Sequence, residues 1–213
     1  MVKHAAKIVL LGDGAVGKTS LVRRYVEGRF DEDYVATIGV NVKDKVLPDL
    51  DLHLTIWDIY GQKSISPGKH SSNYIGAEGA VVVFDITRKK TFLQLDDWIE
   101  GLYDKTGKIP VIVLGNKKDI IDDFETEFDT IFTGASQKEF HEYMVSEHYY
   151  RSVYATEPKF EPVSFSQFDE WADKKNPFKQ KFPHLLASAK TGKNVEKAFD
   201  ALAKKIVSNK IRF

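Results

Sequence analysis

Residues 7–20 have the sequence KIVLLGDGAVGKTS, a short apolar run followed by a glycine-rich loop and the pair Lys18-Thr19. Residues 12–19 match the phosphate-loop pattern, in which two glycines frame four residues and lysine and serine or threonine follow. We call residues 12–17 the phosphate loop. Its glycines let the backbone turn its N–H groups around a polyphosphate, with the N-terminus of a helix behind them. We expect Lys18 to reach the phosphates and the Thr19 hydroxyl to hold Mg²⁺. The candidate phosphate-binding residues are Asp13, Gly14, Ala15, Val16, Gly17, Lys18, Thr19 and Ser20.

Short apolar segments alternate with amphipathic ones along the chain, which is typical of a parallel sheet covered by helices. The predicted strands are residues 7–11, 42–47, 52–57, 80–85, 111–114 and 185–187. The turn-rich link 48–51 predicts that 42–47 and 52–57 form an antiparallel hairpin. The chain is therefore predicted to have an α/β fold of the P-loop NTPase type, a mostly parallel six-stranded sheet with helices on both faces. Ligands of such sheets bind beyond the carboxyl ends of the strands.

Apolar residues recur at helical spacing in three segments, and we interpret each stripe as the side of a helix that packs on the core. We expect Ser164 to cap the second of these helices, over residues 164–175. The stripes are Phe92, Leu95, Ile99 and Leu102; Phe165, Phe168, Trp171 and Ala172; and Val195, Ala198, Phe199, Leu202 and Ile206.

The composition restricts the classes of function. At 213 residues, the chain fits a single domain, 1–213, with a sizeable core. It has no cysteine, which excludes thiol chemistry and any thiol-linked lipid anchor on this chain. Lysine plus arginine equal aspartate plus glutamate at 31 each, so we expect no nucleic-acid partner. The start lacks a long apolar run, so we expect a cytoplasmic protein. We also expect a monomer.

Two further motifs follow predicted strands. Residues 116–119, NKKD (the base loop), follow the apolar stretch 109–115, and residues 188–190, SAK (the SAK segment), follow the strand at 185–187. Each string alone is common in surface loops. In this order after a phosphate loop, they resemble the motifs of Ras-superfamily small GTPases, and the resemblance covers nearly the whole chain apart from one insertion.

The resemblance implies roles for the residues that meet the guanine base of GTP or GDP. Asp119 accepts hydrogen bonds from the guanine N1–H and amine, which adenine cannot supply, so an ATP-dependent P-loop enzyme is disfavoured. Asn116 braces the loops, and the stem of Lys117 lies on the base. The Ala189 backbone meets the guanine carbonyl, and Phe30 matches an aromatic residue that packs against the base. Ser188 and Lys190 complete this set of candidates.

The resemblance also implies two switch segments, at about 30–40 and 58–75. Thr37 resembles the threonine that closes onto Mg²⁺ and senses the γ-phosphate, and Asp58 would hold Mg²⁺ through water. The Gly61 N–H would bind the γ-phosphate, while Gln62 would position the attacking water. The candidate catalytic residues are Gln62, Lys18 and Thr37, and the candidate metal ligands are Thr19, Thr37 and Asp58.

Two tyrosines bear on the rate of hydrolysis. Tyr34, also a nucleotide-binding candidate, stands where the faster Gα-type enzymes carry a built-in arginine, so we expect slow unassisted hydrolysis of GTP. Tyr60 stands where most family members have a small residue, commonly alanine. A phenol there either holds the γ-phosphate or obstructs the closed switch. The alternative function is therefore a nucleotide-locked GTP-binding scaffold with negligible hydrolysis.

The subfamily features are mixed. Residues 15–19 resemble Rho proteins, whereas residues 37–40 and 194–199 resemble Rab proteins, and a Rab-like protein is favoured. The resemblance implies effectors, an exchange factor and an activating protein as partners. Rab proteins carry a cysteine-bearing tail where this chain ends at Phe213. Either the natural protein has no such anchor, or a tail that would bring it to membranes is missing from this sequence.

The base loop and the SAK segment are unusually far apart, because Asn116 and Ser188 lie 72 positions apart. We assign the extra material to an insert at about 122–162, which is rich in aromatic residues. It contains ten acidic and three basic residues, a net charge of −7. It carries no nucleotide motif, and loops of this length are usually functional or disordered. We interpret it as a docking surface for a partner protein.

Overall fold

A computed structural model describes residues 3–31, 39–60, 72–123 and 161–211. Its six-stranded sheet has the order β2-β3-β1-β4-β5-β6. The strands are β1 (His4–Leu11), β2 (Val40–Leu47), β3 (Leu52–Ile59), β4 (Gly79–Asp85), β5 (Val111–Asn116) and β6 (His184–Leu186). Only the pairing of β2 with β3 is antiparallel among these strands, and the others are parallel. The predicted sheet and its hairpin are confirmed.

Within the described residues, five numbered helices accompany the sheet, and residues 118–123 form a further helical segment. They are α1 (Lys18–Glu27), α2 (Lys89–Leu93), α3 (Leu95–Thr106), α4 (Phe165–Glu170) and α5 (Val195–Lys210). A 3₁₀ turn, Pro48–Leu50, links β2 to β3, and a π-helical segment, Trp171–Lys175, continues α4. Among the helices in the described part of the chain, none is long and apolar enough to cross a bilayer.

The core lies on both faces of the sheet. On one face α1 packs with α5, where the rings of Tyr25 and Phe199 stack with centroids 4.2 Å apart. On the other face α3 and α4 cover the sheet, and Phe168 meets Phe84 of β4 edge-to-face at 4.8 Å. All seven residues of β4 are buried, because the strand lies at the centre with helices on both sides. Helices on both faces were predicted, and this is confirmed.

The structure corrects two details of the helix prediction. The stripe from Phe92 to Leu102 belongs to two helices, because Gln94 leaves helical geometry, with φ −93° and ψ 1°, between α2 and α3. Phe165 is 55% exposed, although it was assigned to the apolar face. It is the first residue of α4, at the rim of the core, where its ring lies 6.3 Å from that of His184. The predicted cap by Ser164 is confirmed, since its hydroxyl accepts from the Gln167 N–H.

One edge of the sheet is formed by β2, which pairs with β3 and with no other strand of the described residues. Its exposed valines, Val42 at 43% and Val46 at 49%, alternate with charged residues. Lys43 and Lys45 lie close to α1, through an ion pair with Glu27 and a hydrogen bond to a backbone carbonyl of the helix. This edge therefore combines apolar and charged side chains.

Candidate functional site

The phosphate loop is tightly packed against the ends of β4 and β5. Gly12 has φ +135°, and a Cβ added there would lie 2.1 Å from the carbonyl oxygen of Val83. Gly17 has φ +94°, and its Cβ would lie 2.3 Å from the Asn116 side-chain nitrogen. Both positions require glycine, because they combine a left-handed backbone with a close approach. Ala15, at φ +60°, takes the same backbone region with a methyl group.

Lys18 is the first residue of α1, and its side chain curls back over the phosphate loop. The buried ammonium donates hydrogen bonds to the carbonyl oxygens of Gly12, at 2.7 Å, and Asp13, at 2.8 Å. Burial lowers the pKa of Lys18 to about 8, against the raising effect of the Asp58 and Asp13 carboxylates. The side chain is therefore still mostly cationic at pH 7 and suited to an anionic ligand.

Thr19 and Asp58 come together beside Lys18. The Thr19 hydroxyl donates to Asp58 Oδ2 at 2.6 Å, which joins the start of α1 to the end of β3. Asp58 is buried. A hydroxyl and a carboxylate are hard oxygen donors of the kind that Mg²⁺ prefers, so these two residues fit the ion that the sequence predicts.

Asn116 joins three segments at the end of β5. Its side-chain amide donates to the carbonyl oxygen of Val16 in the phosphate loop at 2.8 Å. Its amide oxygen accepts from the backbone N–H of Ala189 in the SAK segment at 3.1 Å. Asn116 is 2% exposed, so both hydrogen bonds are shielded from water. The phosphate loop, the base loop and the SAK segment are thereby fixed to one another.

Asp119 is held by the SAK segment. The buried Ser188 hydroxyl donates to Asp119 Oδ1 at 2.5 Å and accepts from the Thr191 N–H at 3.1 Å. Ser188 therefore orients the carboxylate that is predicted to recognise guanine. Asp119 is itself half-buried, open enough for a ligand to reach.

The remaining candidates are placed as follows. Lys117, at φ +69°, forms an ion pair with Asp85 Oδ2 at 2.8 Å. Phe30 packs on the core formed by α1 and α5. Ser20 lies in the first turn of α1, and Lys190 is exposed. Outside the described residues lie Tyr34, Thr37, Gly61 and Gln62.

Asp13 is the loop residue whose side chain turns away from the loop. It accepts a hydrogen bond from the indole Nε1 of Trp98 on α3 at 2.9 Å. Burial raises the pKa of Asp13, with Trp98 and the Lys18 ammonium acting in the opposite direction. The side chain of Asp13 therefore secures the loop to α3.

Two arginines near the site were missed by the sequence analysis. Arg24 of α1 donates to the carbonyl oxygens of Ala189 at 2.8 Å and Lys190 at 2.5 Å, so it supports the SAK segment. Arg88, after β4, contacts the carbonyl oxygen of Gly14 at 3.1 Å. The available sign for Arg88 was Asp85, a charged residue at the end of an apolar strand and three positions before the arginine. Arg24 has no such sign, because it is an ordinary polar position of a helix.

The comparison with protein families agrees with this geometry. The family model described as "Ras family" matches residues 7–208. The chain belongs to the Ras family. Membership makes it a GTP-binding switch protein, and members of the family are generally GTPases that act with effectors, exchange factors and activating proteins.

Proposed function

We propose that the chain is a Mg²⁺-dependent switch that holds GTP or GDP at the carboxyl edge of the sheet and hydrolyses GTP slowly. The observation that carries the proposal is the brace made by Asn116, which fixes the phosphate loop to the SAK segment. Because of it, the Lys18 ammonium and the Asp119 carboxylate belong to one site, one for phosphates and one for a base.

The phosphate end of the site is proposed to combine a cation with oxygen ligands. Lys18 would bind the β- and γ-phosphates in place of its present carbonyl acceptors. Thr19 and Asp58, which already share a hydrogen bond, would hold Mg²⁺ together with Thr37. Bound Mg²⁺ neutralises part of the phosphate charge. The backbone N–H groups of the phosphate loop would surround the same phosphates.

The base end is proposed to select guanine through Asp119. Its carboxylate, oriented by Ser188, can accept from the N1–H and the exocyclic amine of guanine. Adenine lacks these two donors on that edge and would leave the carboxylate desolvated without its two hydrogen bonds from the base, which costs about 1–3 kcal/mol or more. The Lys117 stem, the Ala189 backbone and Phe30 would complete the contacts with the base.

Hydrolysis is proposed to depend on the switch segments. Gln62 would position the attacking water, while the Gly61 N–H and Thr37 would sense the γ-phosphate. Loss of that phosphate would release both segments, and partners would recognise the difference. With Tyr34 where an arginine would neutralise the transition state, unassisted turnover would be slow.

The second candidate function is a GTP-locked scaffold, and Tyr60 supports it. The Tyr60 N–H donates to the carbonyl oxygen of Gly39 at 3.1 Å, so its backbone joins the end of β3 to the start of β2. Tyr60 is half-buried at this junction of the two strands. A bulky ring there would hinder closure around the γ-phosphate.

The test begins with the nucleotide that co-purifies with the protein, identified by mass after denaturation. We expect GDP or GTP, and an adenine nucleotide would contradict the base assignment. Single-turnover hydrolysis then compares the wild type with Gln62→Leu and Tyr60→Ala. A slow wild-type rate that Gln62→Leu reduces, with nucleotide affinity kept, supports the switch. A wild-type rate no faster than that of Gln62→Leu, together with faster hydrolysis in Tyr60→Ala, supports the scaffold.

The subfamily and the cellular setting are also proposed. We propose a Rab-like monomer in the cytoplasm, which reaches membranes through partners or a further tail. Residues 37–40 and 194–199, which resemble Rab proteins, support this assignment, whereas residues 15–19 resemble Rho proteins. Binding assays with guanine-nucleotide exchange factors of the Rab and Rho classes would distinguish the two subfamilies.

The insert, 122–162, is proposed to dock a partner protein. Its described ends are fixed near the nucleotide site. Asp122 forms ion pairs with Lys118 at 2.6 Å and Lys193 at 3.1 Å, and the backbone of Glu161 forms hydrogen bonds with the turn after β4. Replacing residues 124–160 with a polar linker should abolish binding of host proteins and leave GTP affinity unchanged. Unchanged partner binding would contradict the docking proposal, and lost GTP binding would show that the insert is structural.

A further inference from the structure

Arg88 connects the turn after β4 to the phosphate loop. Its Nε lies 2.8 Å from Asp85 Oδ2, and its Nη2 donates to the carbonyl oxygen of Gly14 at 3.1 Å. The side chain is 12% exposed. A guanidinium presents several donors in a fixed plane, so one side chain can hold a carboxylate and a carbonyl in a defined relative position.

Asp85 extends this connection to the base loop. Its Oδ1 accepts from the Thr87 N–H at 2.9 Å and the Thr87 hydroxyl at 2.6 Å. Its Oδ2 is shared between Arg88 and the ammonium of Lys117, each at 2.8 Å. The buried Oδ2 of Asp85 thus contacts two cations: Arg88, which holds the phosphate loop, and Lys117, which belongs to the base loop.

The backbone that carries Arg88 is fixed on its other side. The Lys89 N–H donates to the carbonyl oxygen of Glu161 at 2.7 Å, and the Glu161 N–H donates to that of Thr87 at 2.9 Å. A third hydrogen bond runs from the Val163 N–H to the carbonyl oxygen of Ile86, at 2.8 Å. The turn is therefore anchored, and the guanidinium is preorganised when it meets Gly14.

The contact with Gly14 has a consequence for the loop's donors. In a trans peptide the carbonyl and the next N–H point in opposite directions, so holding the Gly14 oxygen directs the Ala15 N–H to the side away from Arg88. Arg88 and Lys117 share the Asp85 carboxylate, so these three side chains together carry one net positive charge, and the Asp13 carboxylate also acts on Arg88.

We propose that Arg88 is a positioning residue of the nucleotide site, which orients the phosphate loop through Gly14 and couples it to the base loop through Asp85 and Lys117. This inference rests on the proposed nucleotide function. In this role, the contacts of Arg88 slow the release of the nucleotide.

The test compares Arg88→Met and Arg88→Lys with the matched control Lys89→Met, which removes a charge from the exposed neighbouring position. The release of a fluorescent GDP analogue is followed after addition of excess GDP to the Mg²⁺-loaded protein. ³¹P NMR of bound GDP reports directly on the surroundings of the phosphates. A role confined to fold stability would lower the unfolding temperature without moving the ³¹P signals.

We expect Arg88→Met to release GDP about tenfold faster, the factor that about 1.4 kcal/mol produces, and to shift the ³¹P signals. Arg88→Lys should be intermediate, because a single ammonium cannot reach both Asp85 and Gly14, and Lys89→Met should match the wild type. Wild-type release and ³¹P signals in Arg88→Met would overturn the inference. If that variant cannot be purified, wild-type release in Arg88→Lys overturns it. A wild type that binds no GDP would instead refute the proposed function.

Discussion

Replacing Asn116 by alanine is expected to loosen the nucleotide site more than any other single truncation in the loops. The change leaves the Val16 carbonyl and the Ala189 N–H without the partners that hold them at 2.8 and 3.1 Å. Each buried group without a partner costs about 1–3 kcal/mol. Because the two costs are not strictly additive, we take about 3 kcal/mol, which corresponds to roughly a 150-fold weaker affinity.

The assay is the rate at which a fluorescent GDP analogue leaves the Mg²⁺-loaded protein, measured beside urea unfolding. Asn209→Ala, in the last turn of α5, makes the same chemical change away from the loops and should release GDP at the wild-type rate. Without the brace, nucleotide binding must order the phosphate loop and the SAK segment, so release should accelerate on the order of 100-fold. If the loss appears only in the unfolding free energy and release is unchanged, Asn116 does not organise the site.

Three further predictions concern the base, the loop and pH. Asp119→Asn should move the preference from GTP toward XTP, because an amide can donate to the 2-oxo group of xanthine; an unchanged ratio of the two affinities would contradict the base assignment. Gly12→Ala should lower the free energy of unfolding by more than Gly28→Ala, because the added methyl at position 12 meets a backbone carbonyl at 2.1 Å while the methyl at position 28 meets open space; equal losses in urea would show that the loop relaxes. Burial opposes ionisation of Asp85, but the Lys117 and Arg88 cations hold its pKa below the ordinary 3.8. The stability it contributes is therefore present above pH 3.8 and lost as the pH falls below it, and Lys117→Met should flatten that dependence in urea unfolding between pH 5 and pH 3.

The strands were predictable because their apolar runs are bounded by polar turns. Residues 80–85 were assigned as a strand, and β4 begins one residue earlier, at Gly79. The break between α2 and α3 was not predictable, because Gln94 is neither glycine nor proline and the apolar spacing continues through it. The exposure of Phe165 depends on where α4 meets the rim of the sheet, which is a property of the tertiary fold.

The site divides in the same way. Lys18, Thr19 and Asn116 belong to contiguous motifs, so their types and spacing could be recognised from the sequence alone. The contacts of Arg24 and Arg88 join residues 165 and 74 positions apart, and nothing local specifies them. The sequence therefore predicts which groups would meet a ligand, whereas the residues that orient those groups become visible only in the folded chain.

The edge strand β2 has a consequence for the behaviour of the protein at high concentration. An edge strand offers unpaired backbone groups to which a strand of another molecule can add. Here Lys43, Asp44 and Lys45 separate the exposed valines, and another copy of the strand would have to place its own charges beside them. Charges on an edge oppose such growth of a sheet into an aggregate. The charged residues of β2 thus oppose extension of the sheet at this edge.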